Sequence, residues 1–146
     1  MIKKVKQPCL LQMDLFMHFP VLICDDSNLA RRMVMRSLPS DWNAEIIMAE
    51  NGLEAMQVLM TRHISLMFLD LTMPEMDGIE VLREIKKHKI ETFVIVVSGD
   101  IQPQMQERVQ QLGALSFIKK PIDYAKLERI LLDYGLYNLG QTAAFS

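Results

Sequence analysis

Five short apolar runs, separated by segments with helical periodicity, are the feature that most constrains the fold of this chain. Each run is five or six residues long and is rich in Val, Ile, Leu, Phe or Met. Apolar residues at consecutive rather than alternating positions are typical of strands covered on both faces, as in a parallel sheet. The runs lie at residues 20–24, 45–49, 65–69, 92–97 and 115–119.

The segments between and after these runs predict five amphipathic helices. Ser27 and Asp77, both of helix-capping type, precede two of them, and Pro103 lies near the start of another. Five strands that alternate with five helices predict one α/β domain with right-handed crossovers and helices on both faces of the sheet.

We place this domain at residues 20–137. Residues 1–19 are predicted to be an N-terminal extension, flexible or weakly docked, and residues 138–146 a C-terminal tail. Met13 or Met17 is an alternative start of the native protein.

The composition argues against several functional classes. The net charge of −2 gives no electrostatic basis for binding nucleic acid or an anionic membrane. The basic start of the chain imitates a signal peptide, but Gln12, Asp14 and His18 interrupt its apolar part. Cys24 lies within an apolar run and is predicted to be a buried, unreactive thiol, which fits a cytoplasmic location.

Polar side chains follow the predicted strands at their carboxyl ends, where open parallel sheets form their sites. A pair of acids follows the first run, a single acid follows the third, and a hydroxyl and a lysine follow the last two. These residues are Asp25, Asp26, Asp70, Ser98 and Lys120.

This combination of groups suits the chemistry of an aspartyl phosphate. Three neighbouring carboxylates repel one another and need a cation, and an oxygen-only ligand set favours Mg²⁺ or Mn²⁺. A carboxylate can then act as nucleophile while a lysine and a hydroxyl bind phosphoryl oxygens. The sequence contains no Gly-rich nucleotide-binding loop, so the phosphoryl group should come from another protein or a small acyl phosphate.

Four motifs in order extend this interpretation: LICDDSN, FLDLTMPEMDG, VVSGD and FIKKP. Over residues 20–137 the sequence resembles the receiver domain of two-component response regulators, especially the stand-alone type known from chemotaxis. The resemblance implies a flavodoxin-like α/β fold: a doubly wound sheet of five parallel strands in the order 2-1-3-4-5, with five helices.

By resemblance, Asp70 is the phospho-acceptor. Asp26 is a direct ligand of Mg²⁺, Asp25 holds the metal mainly through water, and the backbone carbonyl of Thr72 is a further ligand. Lys120 pairs with the acceptor, and the family has a cis peptide bond between this lysine and the following proline.

The resemblance also implies a switch and two protein partners. Ser98 matches the switch hydroxyl, and Phe117 matches the aromatic residue whose rotamer follows it. A histidine kinase donates the phosphoryl group, and an output protein binds the face formed by the fourth helix, fifth strand and fifth helix. The protein is then a monomer or a phosphorylation-dependent dimer, and a signalling protein rather than an enzyme, apart from its own phosphoryl transfer and autodephosphorylation.

Two alternative functions remain, besides the possibility that the chain is one piece of a larger regulator. One is a phosphorylation-independent interaction module with the receiver shape. The other is an aspartyl-phosphate phosphatase, although Thr72 occupies the position two residues after Asp70 where such enzymes usually carry an acid. The chain also departs from the commonest receiver pattern, because Ser98 replaces the frequent threonine and Gly99 follows it.

Overall fold

The structure is a computed structural model that describes residues 19–99 and 101–137. Its strands form one parallel sheet in the predicted order, β2-β1-β3-β4-β5. Every strand lies within one residue of its predicted bounds at each end. The strands are β1 (Phe19–Cys24), β2 (Ala44–Ala49), β3 (Leu66–Leu69), β4 (Phe93–Ser98) and β5 (Ser116–Lys119).

Five helices follow the strands in alternation, as the sequence predicts. The Ser27 hydroxyl caps the first helix by accepting a hydrogen bond from the Ala30 N–H at 3.1 Å. Asp77 caps the third helix and forms a reciprocal capping box with Glu80. The helices are α1 (Asn28–Ser37), α2 (Gly52–Thr61), α3 (Gly78–Lys87), α4 (Pro103–Gln111) and α5 (Tyr124–Asp133).

The sheet separates two apolar cores. Successive strand residues point to opposite faces, so Leu22 and Ile23 belong to different cores. Burial on both faces explains why the strands are continuous apolar runs. One core contains Ala55 of α2, Leu82 of α3 and Val109 of α4, and the other contains Val34 of α1 and Leu127 of α5.

Strand β1 includes one residue before the predicted domain boundary at residue 20. Phe19 is the first residue of β1, and its N–H donates to the Asn43 carbonyl oxygen at 2.7 Å. Its ring centroid lies 5.1 Å from that of Trp42. These contacts make Phe19 part of the sheet, which the sequence pattern alone did not indicate.

The remainder of the predicted extension (1–18) and the predicted tail (138–146) lie outside the described residues. Within residues 19–99 and 101–137, no helix combines the length and apolar character needed to cross a membrane.

The loop after β3 returns closely over the end of its own strand. The Gly78 N–H donates to the Leu71 carbonyl oxygen at 3.0 Å. A Cβ atom on Gly78 would lie only 2.4 Å from the Asp70 carbonyl oxygen. The absence of a side chain therefore allows α3 to begin directly behind Asp70.

We expect Gly78→Ala to lower the free energy of unfolding by about 1–3 kcal/mol, because backbone must move to admit the methyl group. Gly99→Ala is the matched control, since nothing lies within 4 Å of a Cβ atom there. Urea denaturation of both variants measures the difference. Equal stability of the two variants would contradict the close packing at Gly78.

Candidate functional site

Three carboxylates meet at the carboxyl edge of the sheet. One carboxylate oxygen from each of Asp25, Asp26 and Asp70 lies within 4.8 Å of the others. The strand register produces this cluster, because Cys24 at the end of β1 pairs with Leu69 at the end of β3. The Asp70 N–H also donates to the Cys24 carbonyl oxygen at 3.0 Å. The sheet itself thus brings together acids that are distant in sequence.

The three acids differ in their access to water. Asp25 and Asp70 are 3% and 6% exposed, whereas Asp26 is exposed. Burial raises the pKa of Asp70 to about 6, and the charge of Asp25 adds to this rise. Lys120 and the Thr72 backbone N–H, which donates to the carboxylate, act in the opposite direction. Ionised Asp70 is therefore an unfavourable charge unless a further cation offsets it.

Lys120 reaches this cluster from the end of β5. Its Nζ lies 2.7 Å from Asp25 Oδ2 and 3.6 Å from Asp70 Oδ1. Its backbone N–H donates to the Ser98 carbonyl oxygen at 2.8 Å, and a cis peptide bond joins it to Pro121. Burial alone would lower the pKa of Lys120, but its hydrogen bond with Asp25 and the charge of Asp70 outweigh burial and raise the pKa. The lysine is therefore held as a cation between two acids.

The donor set fits a divalent cation. Three carboxylates and one ammonium sum to a charge of −2 (three times −1, plus 1) when all four are ionised. Carboxylate oxygens that converge from separate loops are ligands that Mg²⁺ and Mn²⁺ prefer. The cluster thus fits the Mg²⁺ predicted from the sequence, with Asp26 the member most open to solvent.

Asp25 is held at both its side chain and its backbone. Its Oδ1 accepts a hydrogen bond from the Ser27 N–H at 2.9 Å. The Arg31 guanidinium donates through Nη1 to the Asp25 carbonyl oxygen at 2.6 Å. Sequence reasoning missed Arg31, although its spacing of three residues from Val34 places both on the buried face of α1.

The remaining predicted site residues lie around this centre. Ser98 is the last residue of β4, is 4% exposed, and pairs in register with Lys119 of β5. Phe117 is half-buried in β5, and Lys126 Nζ lies 5.7 Å from the centroid of its ring. The metal-binding role of the Thr72 carbonyl and the switching roles of Ser98 and Phe117 stay predictions.

Cys24 lies directly behind the acids and takes no part in the cluster. It is a buried, free thiol, as predicted, and donates to the Asn51 carbonyl oxygen at 3.4 Å. Burial raises the pKa of Cys24 to about 12, and the charges of Asp25 and Asp70 add to the rise. The reactive thiolate form is therefore strongly disfavoured.

Comparisons with known proteins find similarity to one kind of domain. A family model described as the response regulator receiver domain matches residues 21–132. The chain is 37% identical over 101 residues to the chemotaxis protein CheY of Bacillus subtilis, a match that covers 69% of this chain and 84% of that protein. A chain in the crystal structure of the CheX–CheY–BeF₃–Mg²⁺ complex from Borrelia burgdorferi has a TM-score of 0.77 and 32% identity, covering 84% of this chain and 93% of that one.

Other relatives are much longer than this chain. It is 38% identical over 104 residues to the protein-glutamate methylesterase/protein-glutamine glutaminase of Clostridium acetobutylicum, covering 69% of this chain but only 30% of that protein. The chain spans about a quarter of the length of two transcriptional and regulatory relatives, at 25% and 24%.

Neutralising Asp70 should stabilise the metal-free protein. Its folded-state pKa of about 6 exceeds the ordinary value of 3.8, so the ionised group opposes folding at pH 7 and this cost disappears as the pH falls through 6 towards 4. We expect Asp70→Asn to raise the free energy of unfolding by about 1–2 kcal/mol in a chelator at pH 7, allowing for screening by solvent.

Denaturation of wild type, Asp70→Asn and the exposed control Asp133→Asn checks this effect. Mg²⁺ should narrow the gap between wild type and Asp70→Asn, because the metal stabilises the native wild-type protein. A loss of stability in Asp70→Asn in the chelator would contradict the unfavourable burial of the Asp70 charge beside Asp25.

Proposed function

This chain belongs to the response regulator receiver domain family, and we propose that it is a stand-alone response regulator that accepts a phosphoryl group on Asp70 from a histidine kinase. The observation that carries this proposal is the cluster of three carboxylates with Lys120 between two of them. Receiver domains bind Mg²⁺ at such an acidic pocket. The match to most of the length of CheY from Bacillus subtilis supports the stand-alone role.

In this proposal Asp70 acts as the nucleophile. One of its carboxylate oxygens forms the new O–P bond, while the bond from phosphorus to the imidazole nitrogen of the donor phosphohistidine breaks and its electron pair stays on that nitrogen. Lys120 Nζ, 3.6 Å from Asp70 Oδ1, is close enough to bind a phosphoryl oxygen after a small movement. The Ser98 hydroxyl donates to another oxygen.

Three groups would hold Mg²⁺: the carboxylates of Asp26 and Asp70 and the carbonyl of Thr72, with Asp25 acting mainly through water. The bound ion supplies positive charge that offsets the acids and the phosphoryl oxygens. Asp25 positions Lys120 through the 2.7 Å contact between their side chains. Attack by water on the aspartyl phosphate then restores Asp70 and releases phosphate.

In this proposal the charge added by phosphorylation changes a surface of the protein and does not act on a second substrate. We assign no methylesterase activity to this chain, because its similarity to that relative covers only 30% of the relative. We place the protein in the cytoplasm, where Cys24 stays a thiol and a histidine kinase presents its phosphorylated domain.

The output surface is formed by α4, β5 and α5. Two connections lead there from the site: the Lys120 N–H bonds to the Ser98 carbonyl oxygen, and Ser98 pairs with Lys119. A shift of Ser98 towards a phosphoryl oxygen therefore disturbs the end of β5 and the environment of Phe117. Either an output protein or a second phosphorylated copy binds this surface.

Asp70→Asn should abolish labelling by radioactive acetyl phosphate in the presence of Mg²⁺, because the amide cannot act as the nucleophile. Asp133→Asn, at an exposed acid of α5, should label like wild type. Gel electrophoresis at acidic pH or intact-protein mass spectrometry measures the labelled fraction. Labelling that survives in Asp70→Asn would disprove the acceptor assignment.

Ser98→Ala should reduce the response of the output surface to a phosphoryl mimic. In wild type, beryllofluoride with Mg²⁺ should shift the NMR resonances of Phe117 and of amides in α4, β5 and α5. In Ser98→Ala the mimic still binds, but these distant shifts should fall by at least about half, because the hydroxyl that couples them is missing.

Ser65→Ala is the matched control, since Ser65 lies at the opposite edge of the sheet beside His63. It should respond like wild type. Full distant shifts in Ser98→Ala would exclude its switching role, and a wild-type surface that does not respond would favour a phosphorylation-independent module.

A further inference from the structure

A buried arginine lies behind the metal-binding acids and outside the proposed reaction. Arg31 is 8% exposed on α1. Its Nη1 donates to the Asp25 carbonyl oxygen at 2.6 Å, and its Nη2 donates to Asn28 Oδ1 at 3.3 Å. A charge-assisted hydrogen bond this short is stronger than one between neutral groups.

The burial of Arg31 is costly for folding. In the described part of the chain, Arg31 Nε is one of two buried side-chain polar atoms that lack a hydrogen-bond partner. An incompletely paired buried cation opposes stability, so packing alone does not account for this arginine. The contact with Asp25 points to a role at the site.

The contact fixes the peptide group that precedes Asp26. The Asp25 carbonyl belongs to the planar peptide joining these two acids, so holding its oxygen fixes the plane from which Asp26 departs. On the other side of Asp26, the Ser27 N–H is held by Asp25 Oδ1 at 2.9 Å. Because Asp26 is exposed, the two anchored peptides on either side of it set the direction in which its side chain leaves the backbone.

We propose that Arg31 is a positioning residue that orients Asp26 for binding Mg²⁺ through the Asp25 carbonyl. This inference rests on the proposed magnesium site. Arg31 touches neither the metal nor the phosphoryl group in this role. It acts by keeping an exposed ligand in place before the metal arrives, as partners of metal ligands commonly do.

Position and charge make opposite predictions for the loss of Arg31. If the guanidinium acted only as a positive charge near three acids, its removal would strengthen the binding of a divalent cation. If it orients Asp26, its removal weakens binding even though the site becomes more negative. The sign of the change therefore identifies the role.

The test is a calorimetric titration of the full chain with MgCl₂. We expect Arg31→Met to raise the Mg²⁺ dissociation constant about tenfold. The dissociation constant of Arg31→Lys should lie between those of Arg31→Met and wild type. Arg32→Met, at the exposed neighbouring arginine, controls for charge. Val34→Ala, which removes buried packing from the same helix, controls for stability. Both controls should bind Mg²⁺ with affinities within about twofold of wild type.

A second measurement uses the metal-free proteins and does not depend on binding. Arg31→Met should shift or broaden the amide resonances of Asp26 and Ser27, whereas Val34→Ala leaves them sharp. Should Arg31→Met not fold, Arg31→Lys and Asn28→Ala, which removes the partner of Nη2, still test the idea, each with an expected weakening of about two- to threefold.

The outcomes separate this inference from the proposed function. If wild type binds Mg²⁺ and Arg31→Met binds it equally or more tightly, Arg31 is not a positioning residue, while the receiver function stands. If Val34→Ala weakens Mg²⁺ binding equally, the effect of Arg31→Met reflects lost stability, and the inference is overturned. Failure of wild type to bind Mg²⁺ would overturn the proposed magnesium site and the role of Arg31 with it.

Discussion

The ion pair between Lys120 and Asp25 is the contact on which the site depends. The two residues are 95 positions apart in the sequence, and their side chains meet at 2.7 Å. Lys120 follows β5 at one edge of the sheet, and Asp25 follows β1, with β3 and β4 between them. The pair therefore spans the carboxyl end of β3, where Asp70 lies, and it forms only when all of these strands are paired. The fold and the charge pattern of the site are completed by the same contact.

This arrangement trades stability for chemistry. Burial and the neighbouring like charges both oppose ionisation of Asp70 and raise its pKa, so the ionised group opposes folding. The two apolar cores offset it, since every central strand is covered on both faces. A cation that enters the cluster removes repulsion already present, so part of the free energy of metal binding comes from relief of an unfavourable charge. The same argument explains why the cluster is confined to the strand ends, beside water.

Most of the fold was predictable because one physical constraint dominates it. Strands buried on both faces must be apolar at consecutive positions, and this pattern is visible without tertiary information. The acids and Lys120 were predictable for a related reason, since a charged residue after such a run must lie at the sheet edge. Arg31 was not identified because its proposed role depends on one hydrogen bond to a backbone oxygen, and no sequence pattern specifies such a bond. Phe19 was missed because the residue it contacts, Trp42, lies in the connection between α1 and β2.

The same packing limits how a change at Asp70 can travel. Strands buried on both sides cannot slide without opening a core, so the movable parts are the residues just beyond their ends. Gly99 lies in open space directly after Ser98, with nothing near the position of a Cβ atom. By contrast, a Cβ atom at Gly78 would clash with backbone behind Asp70. The backbone at the start of α3 is therefore closely packed behind Asp70, whereas the backbone at Gly99 is not. A change at Asp70 is therefore more readily accommodated beside Ser98 than in the segment behind Asp70, which fits the proposed switch at Ser98.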